Sequence, residues 1–401
     1  MLLQAAHFYD YDGDGDLDLY VSSGGSEYQP NHKAYQDRLY KNDGKGNFTK
    51  TNALPKIDQS TASVISLDYD GDGDLDLFVG GRLIPGNYGH KPKSYLLRND
   101  QSKYKDVSES QSELFDQLGM ITDIKSSDIN SDGKEEIIVA GEWMPILVLA
   151  YDKKGLHDVT SDFGLDKRSG WWNTVEIADV DGDGDQDIIG GNLGHNIKYK
   201  ASESEPFTLY VDDFDNNGTN DVYLGYYQDG VCYPVRGRQC SSQQMPFISE
   251  KYESYSDFGL ASIDKILDDK VSSSTNILKA DLFASTVFIN EGGRFSTKEL
   301  PSEAQISPVY GIAVDDFDKD GNTDIFLAGN MYNREVETVR SDAGKGYMVT
   351  LDNTGKFKVV STTKTGISAD KDVRAIELIK GSGTNLMAIA NNNAPMQFYS
   401  Y

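Results

Sequence analysis

The sequence predicts an all-β chain folded as a seven-bladed β-propeller, and three observations carry that prediction. An aspartate-rich motif recurs six times, as DYDGDGDLD from Asp10 and again from Asp68, DINSDGKEE from Asp128, DVDGDGDQD from Asp179, DFDNNGTND from Asp213 and DFDKDGNTD from Asp316. Each copy lies between short runs of alternating or β-branched character, such as SVISLD before and LDLFV after, too short for helices. A second hairpin with a Gly-, Asn- or Asp-rich turn usually follows, as in RLYKNDGKGNFTK, YLLRNDQSKYKDVS and YMVTLDNTGKFKVV. The unit therefore has four strands, with the acidic loop between the first and second, and four-stranded units of about 45–60 residues are propeller blades.

The units follow in order along residues 1–401, read as a single domain. First aspartates are separated by 58, 60, 51, 34 and 103 residues. The short interval after Asp179 predicts a truncated fourth blade, in which only NIKYK could add a strand. The long one predicts an insert at about 226–280 within blade five, between its second and third strands, with a small helical excursion marked by Ile263, Ile266 and Leu267. After it, VFINEGGRF is expected to resume the hairpin of blade five. A seventh blade, VRAIELIKGSGTNLMAIANNNAPMQFYS, has the strand pattern but offers only Glu377 and Asn385 where the loops have acids, and is read as a blade without metal.

With 38 basic and 64 acidic side chains the formal charge is −26, and 26 of the acids fall inside the six loops. This balance argues against nucleic acid, which needs a basic footprint, and against an anionic membrane surface. No apolar run reaches the roughly 18 residues of a membrane helix, and Met1-Leu2-Leu3 runs straight into a strand-like segment without a signal-peptide pattern. The expectation is a cytosolic protein, or an excised or mature piece of a longer one.

Carboxylates or amides at loop positions 1, 3 and 5, a backbone carbonyl at 7 and a carboxylate at 9 make a hard, oxygen-only shell suited to Ca²⁺. Position 6 is glycine in all six copies, where the chain must turn sharply. The predicted ligands are Asp10, Asp12, Asp14 and Asp18 with the Asp16 carbonyl, then Asp68, Asp70, Asp72, Asp74 and Asp76. The third loop supplies Asp128, Asn130, Asp132, Lys134 and Glu136, and the fourth Asp179, Asp181, Asp183, Asp185 and Asp187. Asp213, Asp215, Asn217, Thr219 and Asp221, then Asp316, Asp318, Asp320, Asn322 and Asp324, complete the set. Up to six Ca²⁺ would offset the like-charge repulsion. An EF-hand is the competing pattern, but its loop has twelve residues and lies between helices. Ordinary acidic turns are the other alternative.

YGIAVDDFDKDGNTDIFLAGN, Tyr310 to Asn330, resembles the FG-GAP or VCBS repeat of integrin α-subunit propellers and bacterial surface proteins, and the RLYKNDGKGNFTK hairpins are similar to those of cartilage-acidic-protein-like propellers. The resemblance covers the chain except the insert. It implies a seven-bladed propeller with calcium between first and second strands, usually extracellular or at the cell surface. Function does not transfer with the fold.

Three functions compete. One is a binding module for a glycan or protein, one a calcium-dependent polysaccharide lyase or other carbohydrate-active enzyme, and one a structural spacer of a larger surface protein. G-x-S-x-G, H-E-x-x-H and C-x-x-C motifs are missing and the five histidines are dispersed, which favours binding over catalysis. The ligand site is expected on the face opposite the calcium loops, where the longest connections emerge. Those segments hold Arg82, Trp143, Trp171, Trp172, Asn192, His195, Lys198, Arg236, Arg238, Asn330 and Arg334, a set of cations, aromatics and amides suited to an acidic glycan or a carboxylate-bearing peptide. The competing reading has the tryptophans packing the insert or blade junctions and the arginines paired with nearby acids. Cys232 and Cys240, the only two cysteines, are either a disulfide closing a short loop or two free thiols.

Overall fold

The computed structural model describes residues 4–335, 338–352 and 354–401; Met1 to Leu3 lie outside them, and the strand-like segment that follows them forms a strand at Ala6–Tyr9. Among the described residues no helix is long and apolar enough to cross a membrane. The chain forms seven antiparallel sheets in a propeller-like arrangement. Alternating apolar residues make the strands, and the acidic loops connect them. The first sheet runs Ala6–Tyr9, Asp18–Val21, Arg38–Asn42, Phe48–Lys50, and the second Ser60–Leu67, Asp76–Leu83, Tyr95–Asn99, Tyr104–Asp106. The third repeats the order with Met120–Ser127, Glu136–Met144, Leu147–Asp152 and Gly155–Asp158, and adds Gly170–Trp171 beside the far end of Glu136–Met144. The sixth is Gly311–Asp315, Asp324–Ala328, Tyr347–Leu351, Phe357–Val360, and the seventh has three strands, Val373–Ile379, Leu386–Asn391 and Gln397–Ser400.

The fourth sheet differs from expectation. Thr174–Ala178 and Asp187–Gly191 are completed by Thr286–Asn290 and Phe295–Glu299, with Ile188 opposite Phe288. The fourth blade is thus not truncated, and VFINEGGRF belongs to it and not to the fifth. Between its second and third strands the chain builds a separate sheet ordered Val231–Pro234, Asp221–Gln228, Phe207–Asp212, Asn276–Ala280. The predicted helical excursion occurs within this nested unit as Arg238–Gln244, Phe247–Lys251, Tyr255–Gly259 and Ile263–Leu267. The physical reason is packing. The Asp187–Gly191 strand carries Ile188 and Ile189, both fully buried, and the Thr286–Asn290 strand pairs along its edge and adds Phe288 and Val287 to the same apolar clusters.

Apolar clusters join the sheets face to face in the order one, two, three, four, six, seven. Leu77 and Tyr20 share a cluster between the first pair, Ile121 and Phe78 between the second, Trp172 and Ile138 between the third. Ile189 packs with Ile325 between sheets four and six, and Phe326 with Met387 between six and seven. The nested fifth sheet is held elsewhere. Its Phe207, Leu209 and Val211 pack with Met120 and Trp143 of the third sheet and Leu193 and Phe283 of the fourth sheet's connections. Its other face buries Phe214 and Tyr223 under Met245, Ile248, Ile263 and Ile266 of the short helices.

Cys232 and Cys240 are not joined by a disulfide. Cys232 is buried in its strand beside Thr208, at 3.5 Å from the hydroxyl, while Cys240 sits in the Arg238–Gln244 helix, so the disulfide alternative is not realised.

Phe207 is fully buried and stacks on Trp143 at 5.6 Å, so Phe207→Ala should cost about 3–5 kcal/mol in denaturant unfolding. If the nested sheet were independent of the third, the loss would be confined to a separate early transition.

Candidate metal loops and the opposite mouth

The six loops share one hydrogen-bond scheme that explains their spacing. The position-1 carboxylate turns back into its own loop. Asp10 accepts from Gly13 N at 2.8 Å and Gly15 N at 2.9 Å, and Asp179 accepts from Gly182 and Gly184 at 2.7 and 3.0 Å. Positions 4 and 6 hold positive φ in every copy. Position 6 is always glycine, from Gly133 and Gly218 at +86° to Gly184 at +97°, whereas position 4 also accepts Ser131, Asn216 and Lys319 near +60°. Position 5 accepts from the N–H of position 7, as Asp72 does from Asp74 at 2.9 Å.

Position 9 opens the second strand and is buried, with Asp18, Asp76 and Asp187 at 0 % exposure. One oxygen accepts from the N–H of position 2, as Tyr11 to Asp18 (3.1 Å), Val180 to Asp187 (2.9 Å) and Phe317 to Asp324 (3.1 Å). The other oxygen, in three sheets, accepts from an asparagine N–H at the end of the third strand: Asn42, Asn99 and Asn290, at 2.8, 2.7 and 2.8 Å. Two of these asparagines also reach the preceding sheet. Asn99 Nδ2 donates to Tyr11 O at 2.9 Å and Asn290 Nδ2 to Ile129 O at 2.7 Å, and both carbonyls belong to position 2 of a neighbouring loop. Sequence reasoning missed these asparagines and the apolar residue at position 2. The recurring Asn in RLYKN, YLLRN and VFIN was the available signal, and it also assigns VFIN to the loop at Asp179.

In five loops three carboxylates each offer an oxygen within 4.8 Å of the others. Four triads use positions 1, 3 and 9: Asp10, Asp12 and Asp18; Asp68, Asp70 and Asp76; Asp179, Asp181 and Asp187; Asp213, Asp215 and Asp221. The fifth uses positions 1, 3 and 5, namely Asp316, Asp318 and Asp320, without Asp324. Position 5 of the other loops (Asp14, Asp72, Asp183, Asn217) lies outside the triads. The 128–136 loop, with Asn130 at position 3, presents no such carboxylate triad. There the Asn130 amide donates to Glu136 at 2.8 Å. In the first loop Lys41 Nζ pairs with Asp12 and, at 2.9 Å, with Asp14.

The donor set suits a hard cation. It is all oxygen and includes a desolvated carboxylate, and Asp12 Oδ1 is buried without a partner. Burial pushes the Asp76 carboxyl up to about 7 and those of Asp187 and Asp324 to about 6, with neighbouring loop aspartates adding to the rise. A divalent ion held by these triads would supply the positive charge that keeps them ionised at neutral pH.

At the opposite end of the sheets the predicted ligand residues divide. Trp172, Asn192 and Asn330 are fully buried. Asn192 bonds Leu282 O at 2.9 Å, and Asn330 bonds Gly344 O and Lys371 O at 3.1 and 2.9 Å, so these three hold connections together. Trp143 is 5 % exposed and packs between Phe207 and Trp171. Arg238 donates to Tyr252 O at 2.6 Å and caps the short helices. His195 stands apart and exposed, 3.8 Å from Glu299. Two groups are brought together. Glu335 pairs with Lys198 at 2.9 Å and Arg236 at 2.7 Å, and Arg82 pairs with Glu142 at 2.5 Å. Glu142 also accepts from Tyr88 at 2.6 Å, whose oxygen accepts from Trp143 Nε1 at 2.8 Å. Tyr310 lies close enough to Glu142, Arg334 and Arg374 to feel their charges, with the Arg374 guanidinium 4.4 Å above its ring. Tyr88, Glu142, Tyr310 and Glu335 were not legible as partners, since nothing local in their segments marks them.

The fold and the loops together define a propeller-like protein of repeated, aspartate-looped sheets. The model of the FG-GAP-like repeat matches residues 8–79 and 128–190, so the chain carries FG-GAP-like repeats there. Those spans contain four of the six loops. No curated protein matches. Among solved structures, the chain is similar to BBS1N crystallised in complex with ARL6DN, in a lead soak (10% identity, TM-score 0.35) and a mercury soak (11%, 0.34), each match covering 99% of this chain and 92% of that one.

Two outcomes follow from the loops. Asn99→Ala should cost about 1–3 kcal/mol in denaturant unfolding, because it strips a donor from the Tyr11 and Leu75 carbonyls. In chelator, the raised Asp76, Asp187 and Asp324 favour the folded state when protonated. Metal-free stability should therefore fall as pH rises from about 4 to about 7, and Ca²⁺ should raise the melting temperature far more at pH 7.5 than at pH 4.5. Melting curves at the two pH values that are parallel with and without chelator would contradict the metal assignment.

Proposed function

We propose that the chain is a Ca²⁺-stabilised binding module, outside the cell or on its surface, that recognises an acidic glycan or a carboxylate-bearing peptide at the end opposite the calcium loops. The observation that carries this reading is the segregation of charge. In a chain of net charge −26 four of the five carboxylate triads lie in the loops between first and second strands of sheets one, two, four and six, while Arg82, Lys198, Arg236, Arg334 and Arg374 gather with Glu142, Tyr310 and Glu335 at the other end; the fifth triad belongs to the nested sheet, whose Asn220 bonds Asn87 at 2.9 Å. Among the described residues Arg82 Nη1 and Arg334 Nε find no hydrogen-bond partner there, donors that an incoming anion would satisfy. The triads make the Ca²⁺ structural: they brace the loops, and the module's recognition surface lies elsewhere.

A lyase would need a hydroxyl or amine that readily gives up its proton. Burial and the Glu142 carboxylate push the Tyr88 hydroxyl well above its ordinary value, which suits a fixed hydrogen bond and not a base.

Glycan and peptide arrays probed with and without chelator test the reading. Binding should require Ca²⁺, and Arg334→Ala should weaken the array hit about tenfold, the loss of one charged hydrogen bond, while the melting temperature in Ca²⁺ is kept. A chain that binds nothing on either array in Ca²⁺ would be a spacer instead.

A further inference from the structure

An open cleft of about 450 Å³ lies on the flank of the first sheet and its link to the second, away from the mouth described above. It is lined by Asn31, Lys33, Arg38, Lys50, Lys56 and Asp58, together with Ala34 and Gln36, and so places four cations against one carboxylate. That balance runs against the sign of the whole chain, whose acids outnumber its bases by 64 to 38. Lys56 pairs with Asp58 at 2.6 Å; among the described residues Lys33, Arg38 and Lys50 have no carboxylate within 4.0 Å. Arg38 is 9 % exposed and donates to Ser23 Oγ at 3.1 Å, so it is a fixed charge in the wall and not a solvated surface arginine.

The rim is built and rigid. Gln36 is tied down, accepting from Ile57 N at 3.1 Å and donating to Asp37 O and Pro55 O, both at 3.1 Å. Asn31 accepts from Gln59 Nε2 at 2.6 Å, which leaves its own amide N–H groups for a ligand. Between Asn31 and Lys33 in the chain, His32 stacks on Tyr28 at 4.2 Å and 7°, and Tyr28 is 46 % exposed.

We propose that this cleft binds a sulfated or uronate-bearing oligosaccharide. Its volume falls within the roughly 300–1,000 Å³ of small-ligand sites. Three of the four cations are lysines, point charges that meet sulfate or carboxylate oxygens from many directions, whereas recognition of acidic peptides relies on arginine clusters. An exposed aromatic ring offers a face to the C–H side of a sugar, and the free amide of Asn31 meets a hydroxyl. The inference rests on the reading of the chain as a binding module but assigns a separate site, since none of these residues belongs to the mouth.

The test is calorimetric titration of the whole chain in Ca²⁺ with a size-defined oligosaccharide of sulfated sugars and uronates, and with polyglutamate of equal charge. The oligosaccharide should bind more tightly than polyglutamate. Lys33→Glu combined with Lys50→Glu should lower its affinity at least tenfold, and Tyr28→Ala several-fold, with unchanged melting temperature. Lys33→Ala with Lys50→Ala serves if the charge reversals disturb folding. The proposal is overturned if the wild-type chain does not bind the oligosaccharide, if polyglutamate binds as tightly, or if the lysine variants bind normally. Normal binding by the lysine variants together with loss in Arg334→Ala would place the ligand at the mouth, sinking this inference while leaving the proposed function standing.

Discussion

A carboxylate at the ninth loop position, buried at the start of the second strand, is the constraint on which the repeat depends. Removing an ionised carboxylate from water is costly, and the fold must return equivalent interactions. Asp18, Asp76 and Asp187 recover part through two backbone N–H groups, one from their own loop and one from the third strand. Those bonds close the loop and set the third strand's register at the same time. The remaining demand is for positive charge, and it is the reason the loop carries more carboxylates at positions 1 and 3: together they form a triad that a divalent ion can occupy. Asparagine at the end of the third strand extends the arrangement sideways, so that the second and fourth sheets are each tied to the loop of the sheet before them.

The six loops are not equivalent answers to that demand. At 128–136 an amide from Asn130 meets Glu136, a neutral donor where other loops present another carboxylate. In the first loop the Lys41 ammonium reaches Asp12 and Asp14 from the adjacent strand. The far end of the molecule handles buried charge differently again. Glu142 is compensated internally by Arg82 and Tyr88, and Tyr88 in turn is held by Trp143, the same tryptophan on which the nested sheet packs. Packing of the nested sheet and the polar network at the mouth are therefore coupled through one side chain.

The acidic loops, their short flanking strands and the helical segment around Ile263–Leu267 were legible because each is local. A turn needing positive φ selects glycine at position 6, converging oxygens need acids at fixed spacing, and strand period follows from alternating burial. The partnership of VFIN with the loop at Asp179 was legible in principle, through its asparagine, but linear order pointed the other way.

What the tertiary structure alone decided are the pairings between distant segments. Nothing within residues 187–191 says that their partner strand lies almost a hundred residues on, after a complete sheet; the choice is made by which strand adds its apolar residues to the clusters around Ile188 and Ile189. Likewise the three tryptophans read equally well as ligand platforms or as core, and the arrival of Phe207 and Phe288 buries Trp143 and Trp172. Composition determines that a chain of this charge must gather its carboxylates around compensating groups. Which cations lack a carboxylate partner among the described residues, as Lys33 and Lys50 do beside the first sheet, is set by three-dimensional proximity, because an ion pair depends on distance in space and the sequence specifies only distance along the chain.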